Sequence, residues 1–274
     1  MNHNGNPYRP IETKVLDTVV ETPSIKTLRL RPREPMVFKT GQFMELTVPG
    51  IGEAPFTPSS NPASPETLEF TVMKVGRVTE RIHALAPGDT VGLRGPFGAG
   101  YPMERFLGKE ILVVGGGCGF APIRSLMYEF FNRAGQFRKL VFRGGCKTPG
   151  DFLYRSEIEG WTRRGDIDVV LTVDQGDGGW KGRTGVVTTI LEGVDVDRAE
   201  GIAVVCGPPV MMKFAVKKLL ELGFGDGNLY LSMEKNMSCG IGKCGHCRIG
   251  TYYACKDGPV FRYDLIKDFP NIWE

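Results

Sequence analysis

The sequence predicts three consecutive parts: an antiparallel β-barrel or sandwich, a doubly wound parallel α/β domain, and a short segment organised by cysteines. Three observations carry that reading. Over residues 8–104, short β-rich runs alternate with Pro and Gly turns. Over 105–233, strands alternate with helical periods, the pattern of a parallel sheet. Over 234–274 no period is clear, yet four of the chain's seven cysteines crowd together.

In the first part, residues 15–21, 27–31, 42–48, 68–75 and 90–94 read as strands. Pro49-Gly50, the stretch from Pro55 to Pro65, Pro87-Gly88 and Gly95-Pro96 read as the turns between them. In the second part the apolar run 110–114 ends in Gly115-Gly116-Gly117. A helix over 122–134 follows, carried by Ile123, Leu126, Met127 and Phe130. Strands are expected at 139–143, 167–173, 202–205 and 229–233. Helices are expected at 152–162, 185–191 and 211–222, the last ended by Gly223.

Composition narrows the function classes. The chain has 274 residues, 41% hydrophobic and 24% charged, with a formal charge of +3. So small a charge gives no case for nucleic acid or an anionic membrane as partner. No apolar run is long enough to span a membrane, and the first ten residues lack the apolar core of a signal peptide. A cytoplasmic location is therefore expected, and there cysteines serve as thiols or metal ligands more often than as disulfides.

The cysteine pattern is C-x4-C-x2-C-x7-C: Cys239, Cys244, Cys247 and Cys255. Thiolates are the usual ligands of iron–sulfur clusters, and C-x4-C-x2-C with a distant fourth Cys is the 2Fe–2S spacing of plant-type ferredoxins. Gly240, Gly242 and Gly245 fill the gaps, where a loop round a cluster needs unusual backbone angles. Zinc is the competing reading, though it favours two CxxC knuckles and only Cys244/Cys247 form one. His246 reads as a flanking residue.

Two turns have the setting of a nucleotide site. Gly115, Gly116, Gly117 and Gly119, then Ala121 and Pro122, lie between a strand and a helix, where backbone can approach a pyrophosphate. Cys206, Gly207, Pro208 and Pro209 repeat that setting after the strand at 202–205. The two turns are expected to face one crevice, with Cys206 the thiol nearest it. A plain tight turn and a buried strand-end cysteine are the simpler alternatives. There is no Ser/His/Asp set and no carboxylate pair, and the chain has only three histidines: His3, His83 and His246.

Taken together, the GGG-x-G-x-AP turn, the CGPP strand end and the cysteine segment resemble the ferredoxin–NADP reductase superfamily. Within it they are most similar to the subgroup of cytoplasmic hydrogenase gamma, anaerobic sulfite reductase B and dihydroorotate dehydrogenase electron-transfer subunits. The resemblance covers the chain from about residue 10 onward. It implies an FAD-binding β-barrel (8–104), an NAD(P)-binding α/β domain (105–233) and a 2Fe–2S segment (234–274). It places the flavin loop at Pro55, Phe56 and Thr57. The flavin diphosphate turn falls at Gly76, Val78 and Thr79, before a short helix at 80–85, with backbone amides and the Thr79 hydroxyl as phosphate donors. One departure stands out: the family's flavin motif is Arg-x-Tyr-Ser, and here Glu53 takes the arginine's place and Phe56 the serine's. Either another cation such as Arg77 or Arg81 takes over, or flavin binds more weakly.

The resemblance implies an electron-transfer flavoprotein subunit with no catalytic side chain of its own. It would pass electrons between NAD(P)H, FAD and the cluster, to or from other redox subunits docking near the cluster. NAD(H) is preferred because Asp174, at the end of a strand, suits a ribose 2′-hydroxyl. NADP(H) stays open because Arg143 and Lys147 are basic. The competing functions are a stand-alone NAD(P)H:acceptor reductase and a zinc-bearing structural module without redox chemistry.

Overall fold

A computed structural model describes residues 6–270 and 272–273. The chain divides into two compact units. One holds the chain through Tyr101, together with Arg124–Glu129 and Glu234–Val260. The other holds Pro102–Ile123, Phe130–Met233 and the chain from Phe261.

The first unit is built on a six-stranded antiparallel sheet. Its strands are β1 (Ile11–Thr22), β2 (Ile25–Pro32), β3 (Phe43–Val48), β4 (Gly52–Phe56), β5 (Leu68–Met73) and β6 (Thr90–Phe97), with helix α1 (Arg77–His83) between the last two. The order is β4-β3-β6-β1-β2-β5. Period-2 alternation sends Leu28 and Leu30, Met44 and Leu46, and Phe70 and Val72 into one shared core. The sequence reading missed β4. Its Gly52-Glu53-Ala54-Pro55-Phe56 has little strand propensity, and pairing with β3 alone makes it a strand. Pro55 is tolerated there because β4 is an edge strand.

The second unit holds a seven-stranded sheet. Its strands β7 (Glu110–Gly116), β8 (Lys139–Cys146), β9 (Asp168–Val173), β10 (Arg183–Thr184), β11 (Ile202–Cys206) and β12 (Leu229–Ser232) run parallel. Helices α2 (Phe120–Asn132), α3 (Arg155–Thr162) and α4 (Pro209–Glu221) alternate with them. The order β10-β9-β8-β7-β11-β12 reverses direction between β7 and β11, the switch point of a doubly wound sheet. One expectation fails: residues 185–191 form no α-helix. Strand β10 precedes them and Val187–Ile190 makes a single 3-10 turn. The run Val186-Val187-Thr188-Thr189-Ile190 is β-branched throughout, which costs side-chain freedom in a helix.

The cysteine segment is mostly irregular. It contains the two-stranded ribbon β13 (Arg248–Ile249) and β14 (Tyr252–Tyr253), and the chain then enters β15 (Val260–Arg262), at the edge of the seven-stranded sheet, and α5 (Tyr263–Ile266). Among the described residues no helix is long and apolar enough to cross a membrane.

Candidate functional site

The cysteine loop is shaped around its sulfurs. Gly240, Gly242 and Gly245 all have positive φ, which turns successive backbone amides inward. The amides of Ile241 and Lys243 donate to the Cys239 sulfur at 3.5 and 3.3 Å, and that of Gly242 to the Cys255 sulfur at 3.1 Å. Burial pushes the Cys239 thiol up, but amides of Cys244, Ile241 and Lys243 outweigh it and bring it down to about 6. Cys239 is thus poised as thiolate, the form that binds metal. Burial, with Cys247 beside it, pushes Cys255 up to about 12.

The thiols associate in pairs, Cys239 with Cys244 and Cys247 with Cys255. Among the described residues no three His, Cys, Asp or Glu side chains gather where one metal ion would sit. Inward-turned amides on the Cys239 and Cys255 sulfurs suit the thiolate ligands of an iron–sulfur cluster. Cys239, Cys247 and Cys255 are buried and Cys244 is exposed. The His246 ring meets the Ser238 hydroxyl at 3.2 Å, outside the thiol set. His3 lies outside the described residues.

In the second unit the two glycine turns stand side by side. Parallel pairing sets Cys206 beside Gly115. A Cβ on Gly119 would stand 2.3 Å from the Cys206 carbonyl oxygen, and one on Gly207 2.9 Å from the Gly116 carbonyl oxygen. Only glycine permits this backbone-on-backbone approach. Gly117 lies next to Pro208 and has φ +53. Ala121 and Pro122 sit in the first turn of α2, and Pro208 and Pro209 open α4, so two helix N-termini stand at adjacent strand ends, the setting that receives pyrophosphate. Cys206 is buried. Cys146, at the end of β8 on the other side of β7, is pushed up to about 12, chiefly by burial, so its thiol stays protonated.

Asp174 follows β9 at the same end of the sheet and is exposed, its amide donating to the Cys146 carbonyl. Arg143 is engaged elsewhere. It is buried, and its Nη2 pairs with Asp168 at 2.7 Å. Of the basic residues weighed for a ribose phosphate, only Lys147 is exposed.

In the first unit Pro55, Phe56 and Thr57 are half-buried at the end of β4 and just beyond. Ser60, three residues on, carries a buried hydroxyl with no hydrogen-bond partner. An orphaned hydroxyl beside a half-open strand end is what the polar edge of a flavin would satisfy. Gly76 caps α1 with extended backbone. The Thr79 hydroxyl accepts from the amides of Val75 and Gly76, both at 2.9 Å, and donates to the Gly76 carbonyl at 2.8 Å. Its hydrogen-bonding capacity is spent on the turn, so it shapes the loop and is not free to hold phosphate. The Val78 side chain packs on the core and against Gly52.

Glu53 has a different place from the one the motif gave it. Its carboxylate grips Arg94 in a two-pronged pair, at 2.9 and 2.6 Å. It stands where a phosphate-binding arginine is usual and serves another contact. Sequence reasoning missed this pair because Arg94 is 41 residues downstream on β6.

Comparison with known proteins supplies the context. Residues 13–101 match an oxidoreductase FAD-binding domain, 113–217 an oxidoreductase NAD-binding domain, and 234–267 the iron–sulfur cluster binding domain of dihydroorotate dehydrogenase B. The sulfhydrogenase 2 subunit gamma of Pyrococcus furiosus is 34% identical, over 94% of this chain and 96% of its own. A probable dihydroorotate dehydrogenase B (NAD(+)) electron transfer subunit of Methanocaldococcus jannaschii is 32% identical, over 94% and 92%. A solved NADH-dependent reduced ferredoxin-NADP oxidoreductase, described for flavin-based electron bifurcation, shares the fold with a TM-score of 0.75 at 24% identity, covering 97% of this chain and 93% of its own.

Proposed function

Because the chain belongs to the family of hydrogenase gamma and dihydroorotate dehydrogenase B electron-transfer subunits, we propose that it moves electrons between NAD(H), FAD and a 2Fe–2S cluster, to or from a partner subunit. The observation that carries this is a cysteine loop whose positive-φ glycines aim backbone amides at the Cys239 and Cys255 sulfurs, in a chain that also has FAD- and NAD-binding domains. We read 8–104 as the flavin domain, 105–233 as the nucleotide domain and 234–274 as the cluster segment.

FAD, when bound, supplies the conversion between two-electron hydride transfer and single-electron transfer, and an iron–sulfur cluster supplies a one-electron store. The chain's own residues position them. Gly115, Gly116, Gly117 and Gly119, with Cys206, Gly207, Pro208 and Pro209, let backbone and two helix ends meet the dinucleotide phosphates. Asp174 accepts from a ribose hydroxyl, and the engagement of Arg143 with Asp168 favours NAD(H) over NADP(H). Pro55, Phe56, Thr57 and Ser60 border the flavin ring, while Gly76, Val78 and Thr79 form the turn that receives its diphosphate. Cys239, Cys244, Cys247 and Cys255 hold the cluster, and the exposed Cys244 corner faces the partner. The partner is a further redox subunit, and the assembly works in the cytoplasm.

An absorption spectrum of the purified chain tests the reading. Flavin bands over a broad iron–sulfur envelope, bleached by NADH, are expected. A colourless protein carrying zinc overturns it. Native mass analysis from the source cells tests the partner: a lone chain that reduces a diffusible acceptor at full rate overturns the subunit reading.

A further inference from the structure

Beneath the cysteine segment the barrel carries a buried charged group that cofactor binding leaves unassigned. Met44, Leu46 and Val48 of β3 turn into the core, so alternation sends Glu45 to the opposite face. There it pairs in register with Arg94 of β6. Arg94 is 2% exposed. Its Nε and Nη2 form the fork with Glu53, and its Nη1 donates to the Pro7 carbonyl at 3.0 Å and to the Cys239 carbonyl at 3.5 Å. The same guanidinium lies 5.3 Å from the centre of the Phe97 ring. That ring in turn covers Gly240, where a Cβ would stand 2.7 Å from it. The first ligand turn is therefore held twice, at the Cys239 carbonyl by Arg94 and at Gly240 by Phe97.

Glu45 is fully buried and neither of its carboxyl oxygens has a hydrogen-bond partner. Burial first, then the charge of Glu53, pushes it up to about 8 against the pull of Arg94. The forked Arg94–Glu53 pair is the ion pair of this bed. An arginine cannot shed its charge, and a buried charge acts more strongly than one in water.

We propose that Arg94, fixed by Glu53, is a positioning residue for the iron–sulfur site: it pins the Cys239 turn to the barrel, and its permanent positive charge favours the reduced state of the cluster. The inference rests on the electron-transfer reading above and assigns Glu53 a purpose outside flavin binding.

The test is a potentiometric titration of the full-length holoprotein followed by electron paramagnetic resonance, with iron and FAD content measured alongside. Arg94→Gln is expected to move the cluster midpoint to lower potential. Glu53→Gln, made in a Glu45→Gln background so that no second carboxylate can ionise beside Arg94, leaves the Arg94 charge uncompensated and is expected to move the midpoint to higher potential than Glu45→Gln alone. FAD content should stay at the wild-type level in both. Shifts of one sign in both variants, or no shift in either, overturn the proposal. Should Arg94→Gln fail to retain iron, Glu53→Gln still decides by sign, because Glu53 is 32% exposed and its replacement is the gentler change. Wild-type protein with no reducible cluster sinks the electron-transfer reading itself; a normal wild-type cluster with unmoved variants sinks only this inference.

Discussion

The turn at 115–119 and the turn at 239–247 are both rich in glycine, and they need it for different reasons. At Gly119 the obstacle is outside the residue: the backbone of the next strand end stands where a side chain would go. At Gly240 the demand is internal, a φ of +76 that L side chains rarely adopt, and the outside neighbour is only a phenyl ring. At Gly119 the first turn is thus an exercise in close packing between two strand ends, with left-handed backbone needed only at Gly117. The second is an exercise in backbone handedness, which aims amides at sulfur. The first should fail globally when altered, and the second locally.

The largest expected effect separates the two turns outright. Cys244→Ser should lose nearly all cluster iron while NADH still bleaches the flavin, as read by iron analysis and stopped-flow absorbance. Simultaneous loss of both would mean the two turns are not independent.

Next comes Gly119→Ala. Backbone has to move to admit the methyl group, at a cost on the order of 3 kcal/mol, so the urea midpoint should fall and NADH affinity should drop at least about tenfold. Gly240→Ala should cost less, roughly 1–2 kcal/mol for the left-handed backbone, and should show as lost iron with little change in NADH binding. Equal damage to NADH binding from both would erase the contrast.

A smaller effect concerns the bed under the cysteine turn. The folded state keeps the Glu45 proton up to about pH 8, whereas the unfolded chain releases it near 4.5. Between those values the folded state binds more protons, so this residue makes stability fall as pH rises. In metal-free protein, Glu45→Gln should match wild type near pH 5. It should be more stable by on the order of 1–3 kcal/mol at pH 8.5, measured by urea unfolding at the two pH values. A variant equally weak at both would show that the carboxyl is not protonated in the fold.

The smallest effect is at the open end of the nucleotide crevice. Asp174→Asn should raise the NADH KM by about 3–10-fold with kcat unchanged, the loss of roughly one hydrogen bond. An unchanged KM would remove Asp174 from the ribose.

Much of this was legible in the sequence, and the legible parts are local. The strand–turn–helix units around Gly115–Gly119 and Cys206–Pro209 follow from periodicity and glycine placement over a dozen residues. The four thiols follow from spacing. The Arg94–Glu53 pair did not, because it depends on the register of β3 against both β4 and β6. Reading Glu53 by its motif position placed it in the flavin loop, and only strand pairing turns it toward Arg94. The clue available was Glu45 itself, a carboxylate between Met44 and Leu46 in a mostly apolar strand. It says that something polar lies on the far face without saying what. The run at 186–190 forms only a 3-10 turn because its β-branched side chains lose rotamer freedom in a helix.

The four thiols differ in depth, and that grading doubles as a chemical ruler. Cys244 is open to solvent, Cys239 is 8% exposed, Cys255 1% and Cys247 sealed. A thiol-alkylating reagent given to the metal-free chain meets them in that order, from the rim inward. The sequence in which the four are capped therefore records how far the segment has unwound from the barrel. It distinguishes a loop that merely breathes at its edge from one that has come away.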